Sequence, residues 1–159
     1  MFKKIAIAAP LTLLVLGAST VFAEDAKFSV NIEATVPSNG QYVTPARDLV
    51  DSTRRMDWDS AIGDMRNVLS YVDLRNNAGD VSAYLESEAK LYSGANTIPL
   101  KVTLNNKEIT QTETPVVGDD ESNANYRAVF EIKAVTNGVL PPEGAYTGVV
   151  TPMFVYGIR

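Results

Sequence analysis

Between Ala26 and Pro37 the chain reads AKFSVNIEATVP, with Phe28, Val30, Ile32, Ala34 and Val36 alternating with Lys27, Ser29, Asn31, Glu33 and Thr35. A period of two puts every second side chain on one face of an extended strand. The segment reads as one strand with one apolar face, and something must cover that face. If the cover is the rest of the same chain, the protein is a small closed β domain. If it is another copy, the strand links one domain to the next by β-augmentation. The second reading is favoured.

Upstream of it, Met1-Phe2-Lys3-Lys4 leads into a mostly apolar run from Ile5 to Gly17, and Val21-Phe22-Ala23 closes the stretch with a small residue. A basic start, an apolar run too short to span a bilayer comfortably and an A-x-A-like exit are the parts of a secretory signal peptide. The polar Ser19-Thr20 and the cleavage-like triplet argue against an uncleaved anchor. Cleavage is expected between Ala23 and Glu24, which divides the chain into a signal at 1–23, an N-terminal extension at 24–37 and a domain at 38–159. The protein is expected to be exported.

Removal of the signal leaves 136 of the 159 residues, enough for one domain with a modest core. Without Lys3 and Lys4 there are 12 basic residues against 19 acidic ones, a net charge of −7. That balance argues against nucleic acid or anionic lipid as a partner. Cysteine and histidine are both absent. Thiol catalysis, the commonest general base and the commonest metal ligand go with them, so an enzyme is not expected. Carboxylates such as Asp57 and Asp59 sit in a charged stretch where solvation is their ordinary role, and nothing assembles a nucleophile, base and oxyanion site. The cluster Asp119-Asp120-Glu121 lacks the ligand spacing of a calcium loop. No cofactor or metal is expected.

Ser38-Asn39-Gly40 is a turn signal, followed by a polar connection through Tyr42, Val43, Pro45 and Arg47, with a short strand suggested at Leu49 and Val50. Asp51 to Arg66 is charged and irregular. It reads as a surface loop or a single helical turn, or as a contact surface anchored by Trp58, Arg54 and Arg55. Asn67 to Leu74 alternates as a strand. Val81 to Tyr92 fits helix and strand spacing alike, and strand to about Glu86 is preferred. Ile98–Leu104 and Glu108–Thr112 bracket Asn105-Asn106-Lys107 as a hairpin, with Pro99 at the strand start. Pro115 to Asn125 reads as an exposed acidic loop, and Tyr126 to Val135 as a central strand. From Ala145 to Arg159 a last strand is apolar on both faces, with Tyr146, Val150, Phe154, Tyr156 and Ile158 on one of them. It would be costly at a bare sheet edge, and a partner strand is expected beside it. Six to eight short strands and no long helix point to an all-β, antiparallel immunoglobulin-like β-sandwich.

The signal peptide, the mature start KFSVNIEATVP, the middle IPLKVTLNNKEI and the C-terminal PPEGAYTGVVTPMFVYGIR together resemble the major pilin subunits of class 5, or alpha-clade, chaperone–usher fimbriae, the colonisation-factor pilins of enteric bacteria. Pro141 or Pro142 through Val150 is the most specific part. The lack of cysteine also suits that clade. Leu49 to Arg66 and Pro115 to Asn125 carry no distinctive likeness.

The resemblance implies an incomplete immunoglobulin-like sandwich, missing its last strand and completed by a donor strand from a neighbouring subunit. It implies a homopolymer assembled by donor-strand exchange, a periplasmic chaperone that fills the groove first, an outer-membrane usher and a tip adhesin. The fimbria would stand on the extracellular surface of a Gram-negative bacterium and support adhesion to host cells. By this carry-over Val30, Ile32, Ala34 and Val36, with Phe28 as an extra anchor, fill the neighbour's groove, and Pro37 ends the donor segment. The groove would lie along Val150, Phe154, Tyr156 and Ile158, and the chaperone would grip the carboxylate of Arg159. Nine residues from Phe28 to Val36 span about 30 Å when extended, the length of a sandwich.

Two other readings compete. A self-contained exported β-sandwich could serve as a carbohydrate-binding or accessory module, but Trp58 is the only indole and its neighbours are charged. A shaft subunit could also touch host glycans through Trp58, Arg54 and Arg55, weakly per subunit and polyvalently.

Overall fold

The computed structural model describes residues 40–159. The signal peptide, its cleavage site at Ala23 and Glu24, the donor residues Phe28 to Val36 and Pro37 lie outside the described residues. Within 40–159 the elements run in chain order: β1 (Gln41–Pro45), α1 (Arg47–Val50), β2 (Trp58–Asp59), β3 (Asp64–Met65), β4 (Val68–Asn76), β5 (Val81–Leu85), β6 (Lys90–Ser93), β7 (Asn96–Leu104), β8 (Lys107–Ile109), β9 (Thr114–Val117), α2 (Asp119–Ser122), β10 (Tyr126–Ala134) and β11 (Pro152–Tyr156).

Apart from the separate β2–β3 pair, these strands form a larger antiparallel sheet in the order β1-β4-β10-β7-β6, with β8 also on β7, and a smaller one in the order β11-β5-β9. Alternation explains why they stack. On β4, Val68, Val72 and Leu74 are buried while Leu69 and Tyr71 are exposed. β10 repeats the pattern with Ala128, Phe130 and Ala134 inward, and pairs Ala128 with Val72 and Phe130 with Leu104. From the smaller sheet Val81, Ala83, Leu85, Val116 and Val117 meet that face. Two sheets packed through alternate inward residues make a sandwich core. The expected all-β antiparallel class and the central place of β10 are both observed.

Local chemistry sets the turns. Asn105 and Asn106 have φ of 52° and 62°, the left-handed pair that a two-residue hairpin needs and that asparagine tolerates better than most residues. The β7–β8 turn is therefore two residues long, and its second strand starts at Lys107. Pro99 sits inside β7 and not at its start. Its carbonyl accepts from the Val135 amide at 2.8 Å, just past the end of β10, so its missing N–H falls where that ladder has stopped.

Four further expectations change. The connection at Tyr42 to Pro45 is strand β1, paired along β4 from Gln41↔Asn76 to Pro45↔Val72. Leu49 and Val50 belong to the single turn α1, where the Asp48 carboxylate accepts from the Ser70 hydroxyl at 2.7 Å. Pro115 to Asn125 is not simply an exposed loop. Its start is edge strand β9, with Val116 and Val117 fully buried, and α2 buries Ser122, whose hydroxyl donates to the Gly79 carbonyl at 2.6 Å. The last stretch is strand only over β11; before it, Thr147 exchanges two backbone hydrogen bonds with Tyr92 of β6.

Leu104 has no exposed surface, whereas Leu69 is 54% exposed on the outer face of β4. Leu104→Ala is expected to lower unfolding free energy by about 2–5 kcal/mol and Leu69→Ala by less than about 0.5 kcal/mol, measured by urea denaturation of the mature chain.

Candidate functional site: a partly exposed apolar edge

The site is built on β11. It pairs antiparallel with β5, Phe154 opposite Ala83 and Tyr156 opposite Val81. Ala83 and Val81 are fully buried core residues. Directly opposed residues share a face, so Phe154 and Tyr156 point inward and Met153 and Val155 point out. Both inward residues pack against the core, yet both stay half-exposed. An inward side chain at intermediate exposure is one that its neighbours leave partly accessible. Among the described residues β11 has β5 as its only strand neighbour.

Further apolar side chains share this condition. Val150, just before β11, is half-buried against the core. So are Val43 on β1, Leu100 on β7 and Ile132 on β10. Leu100 and Ile132 have the inward parity of their strands, because Leu100 opposes Ala134 and Ile132 opposes Val102. Burial raises the pKa of the Tyr156 hydroxyl above its usual 10.0, which keeps the phenol neutral beside this apolar surface. The arrangement can take up a strand that brings alternate apolar side chains inward and backbone groups to the side of β11 that has no strand neighbour among the described residues.

The end of the C-terminal segment is held by contacts of its own. Ile158 lies past the end of β11 and is 88% exposed. It follows the strand as a tail residue. Arg159 is tied within the chain: its guanidinium meets the Asp119 carboxylate at 2.7–2.9 Å, and its amide donates to the Ala78 carbonyl at 2.7 Å. That contact draws the Asp119 carboxyl below its usual 3.8 and raises Arg159. Gly157 is hemmed in, its carbonyl so close to Gly79 that a Cβ there would lie 2.6 Å from it.

Trp58, Arg54 and Arg55 fall into separate local structures. Trp58 is half-buried opposite Met65 in the β2–β3 hairpin, Arg54 pairs with Asp48 of α1 at 3.2 Å, and Arg55 is exposed. Asp119, read as part of a solvated cluster, is instead the partner of the last residue. No group of three or more His, Cys, Asp or Glu that could hold a metal ion forms among the described residues. Sequence reasoning missed Asn76, a buried asparagine at the inward parity of β4 that bonds the Gly157 carbonyl at 2.9 Å. A polar residue in an apolar alternation was the available signal.

The family model for the CS1 type fimbrial major subunit matches residues 26–155. Among solved structures, the fold is similar to that of the CooA pilin subunit from enterotoxigenic Escherichia coli, with a TM-score of 0.51 and 18% identity, over 63% of this chain and 75% of that one. No curated protein sequence matches.

A depressed carboxyl contributes stability that is present above its ordinary pKa and lost as pH falls through the lowered one. Exchange of the Arg159 amide is therefore expected to speed up, beyond the intrinsic pH effect, as pH drops below 3.8 and through the Asp119 titration. In Asp119→Asn that step should vanish. NMR-detected hydrogen exchange reads both.

Proposed function

The chain belongs to the CS1 type fimbrial major subunit family, and we propose that it enters the pilus by lending residues 24–37 to the open edge of a neighbour's β11. The protein is a structural subunit that polymerises into a fimbria on the cell surface. In the proposed joint Val30, Ile32, Ala34 and Val36, with Phe28 as an extra anchor, cover the half-exposed Val150, Phe154 and Tyr156 of the next copy, and residues 38–159 form the accepting domain. The observation that carries this reading is the pair Phe154 and Tyr156, inward by register yet partly exposed, on a strand with one neighbour among the described residues.

Energetics support it. Each larger apolar side chain taken out of water contributes on the order of 1.5–3 kcal/mol, and a backbone ladder adds to that. Donor and acceptor surfaces differ, so the contact is heterologous and repeats into a filament when it does not close into a ring. An uncovered edge is also an aggregation hazard before assembly. A periplasmic chaperone that occupies it, followed by transfer at an outer-membrane usher of a Gram-negative cell, answers that hazard, and a tip adhesin would begin the filament. The protein acts without catalysis in this scheme. Pro37, lacking an amide and holding Val36 extended, ends the donor segment.

Ile32→Asp places a charge where the joint needs an apolar side chain. Such a subunit is expected to accept a neighbour's strand but not to donate its own. Mixed with wild type it should shorten filaments in electron micrographs in proportion to its fraction, and alone it should give no heat-resistant oligomers. Unaltered filament length would contradict the assignment. Pro37→Ala is expected to change rod morphology or extension without abolishing polymerisation.

A further inference from the structure

Asn76 closes β4 with no exposed surface. Its Nδ2 donates to the Asp80 carbonyl at 2.7 Å and to the Gly157 carbonyl at 2.9 Å. Its Oδ1 accepts from the Ala78 amide at 3.0 Å and from Gln41 Nε2 at 3.2 Å. A side-chain amide has two donors and two lone pairs, so its capacity is filled. Backbone bonds reinforce the same place: the Asn77 amide to the Gly40 carbonyl at 2.9 Å, the Gly157 amide to the Asp80 carbonyl at 2.9 Å, and the Arg159 amide to the Ala78 carbonyl at 2.7 Å.

One short loop, residues 76–80, thus binds both ends of the domain. Gly40 and Gln41 begin the strand that follows the N-terminal extension, and Gly157 ends the strand with the open edge. We infer that Asn76 is the positioning residue that ties β1 to β11, so that tension arriving through a subunit's own extension passes directly to the strand holding its neighbour's. This rests on the donor-strand reading above. Under pull, Gly40 and Gln41 are drawn along β1 while the neighbour's segment draws on β11. Without a tie at their shared end, the sheet edges would be loaded one at a time. A buried amide suits the task because every bond it makes there would have to break without water to replace it.

The test uses filaments of the full mature chain, wild type and Asn76→Ala, read by hydrogen exchange and by extension in an optical trap. In the variant the amides of Asn77, Gly157 and Arg159 should exchange about tenfold faster or more, while amides of the β10–β7 ladder keep their protection. Subunits should also unfold at lower pulling force. A purely structural loss would loosen the ladder along with the three amides, and that result overturns the proposal, as does unchanged exchange at all three. If Asn76→Ala does not fold, Gln41→Ala removes the β1 side-chain bond to Asn76. It should lower the unfolding force and leave Gly157 protected, and an unchanged force overturns the inference. Filaments that form from a chain lacking residues 24–37 would instead overturn the donor reading, and the force path with it, whatever the exchange pattern at Asn76.

Discussion

Phe154 and Tyr156 face inward and are not fully covered, and the functional account depends on that one constraint. Register leaves them no alternative, because a one-residue slip of β11 against β5 would turn both side chains outward and bring Met153 and Val155 in. The core holds β5 rigidly, with Val81 and Ala83 at zero exposure. The strand that would complete the face is therefore specified in advance. It must be extended, apolar at every second position and long enough to run beside β11. Residues 28–36 have that pattern.

Much of this architecture is legible in the amino-acid sequence. β4 and β10 alternate so regularly that their faces can be assigned residue by residue, and Asn105-Asn106 marks the hairpin. β5 is ambiguous because Val81, Tyr84, Leu85 and Glu88 fit a helical period while Val81, Ala83 and Leu85 fit a strand, and pairing with β9 and β11 on its two sides decides it. What stays hidden are elements made by their neighbours. β1, QYVTP, carries one aliphatic residue and is a strand because β4 offers it an edge. β9 contains Pro115 and runs into acidic residues, yet it buries two valines against the core.

The candidate edge is half legible. Apolar residues on both faces of the last stretch point to a covered strand, but only pairing with β5 separates Phe154 and Tyr156 from Ile158, which lies past the end of β11 in solvent. Contacts between distant residues give no local signal at all. Arg159 to Asp119 is 40 residues apart and Asn76 to Gly157 is 81. Both act on the tail that follows β11, so that strand is anchored at one end by polar bonds and, among the described residues, paired along one side only. That combination suits the proposed exchange of strands at this surface, because the polar anchor lies at the loop and not on the apolar face.

The most direct measurement is on the mature chain with and without residues 24–37, adding a synthetic peptide of residues 26–37 to the truncated form. The account predicts that truncation stops polymerisation and that the peptide binds the truncated domain and raises its melting temperature. A full-length chain that remains a stable monomer at high concentration, with truncation merely unfolding it, would contradict the account and return the segment to its own domain.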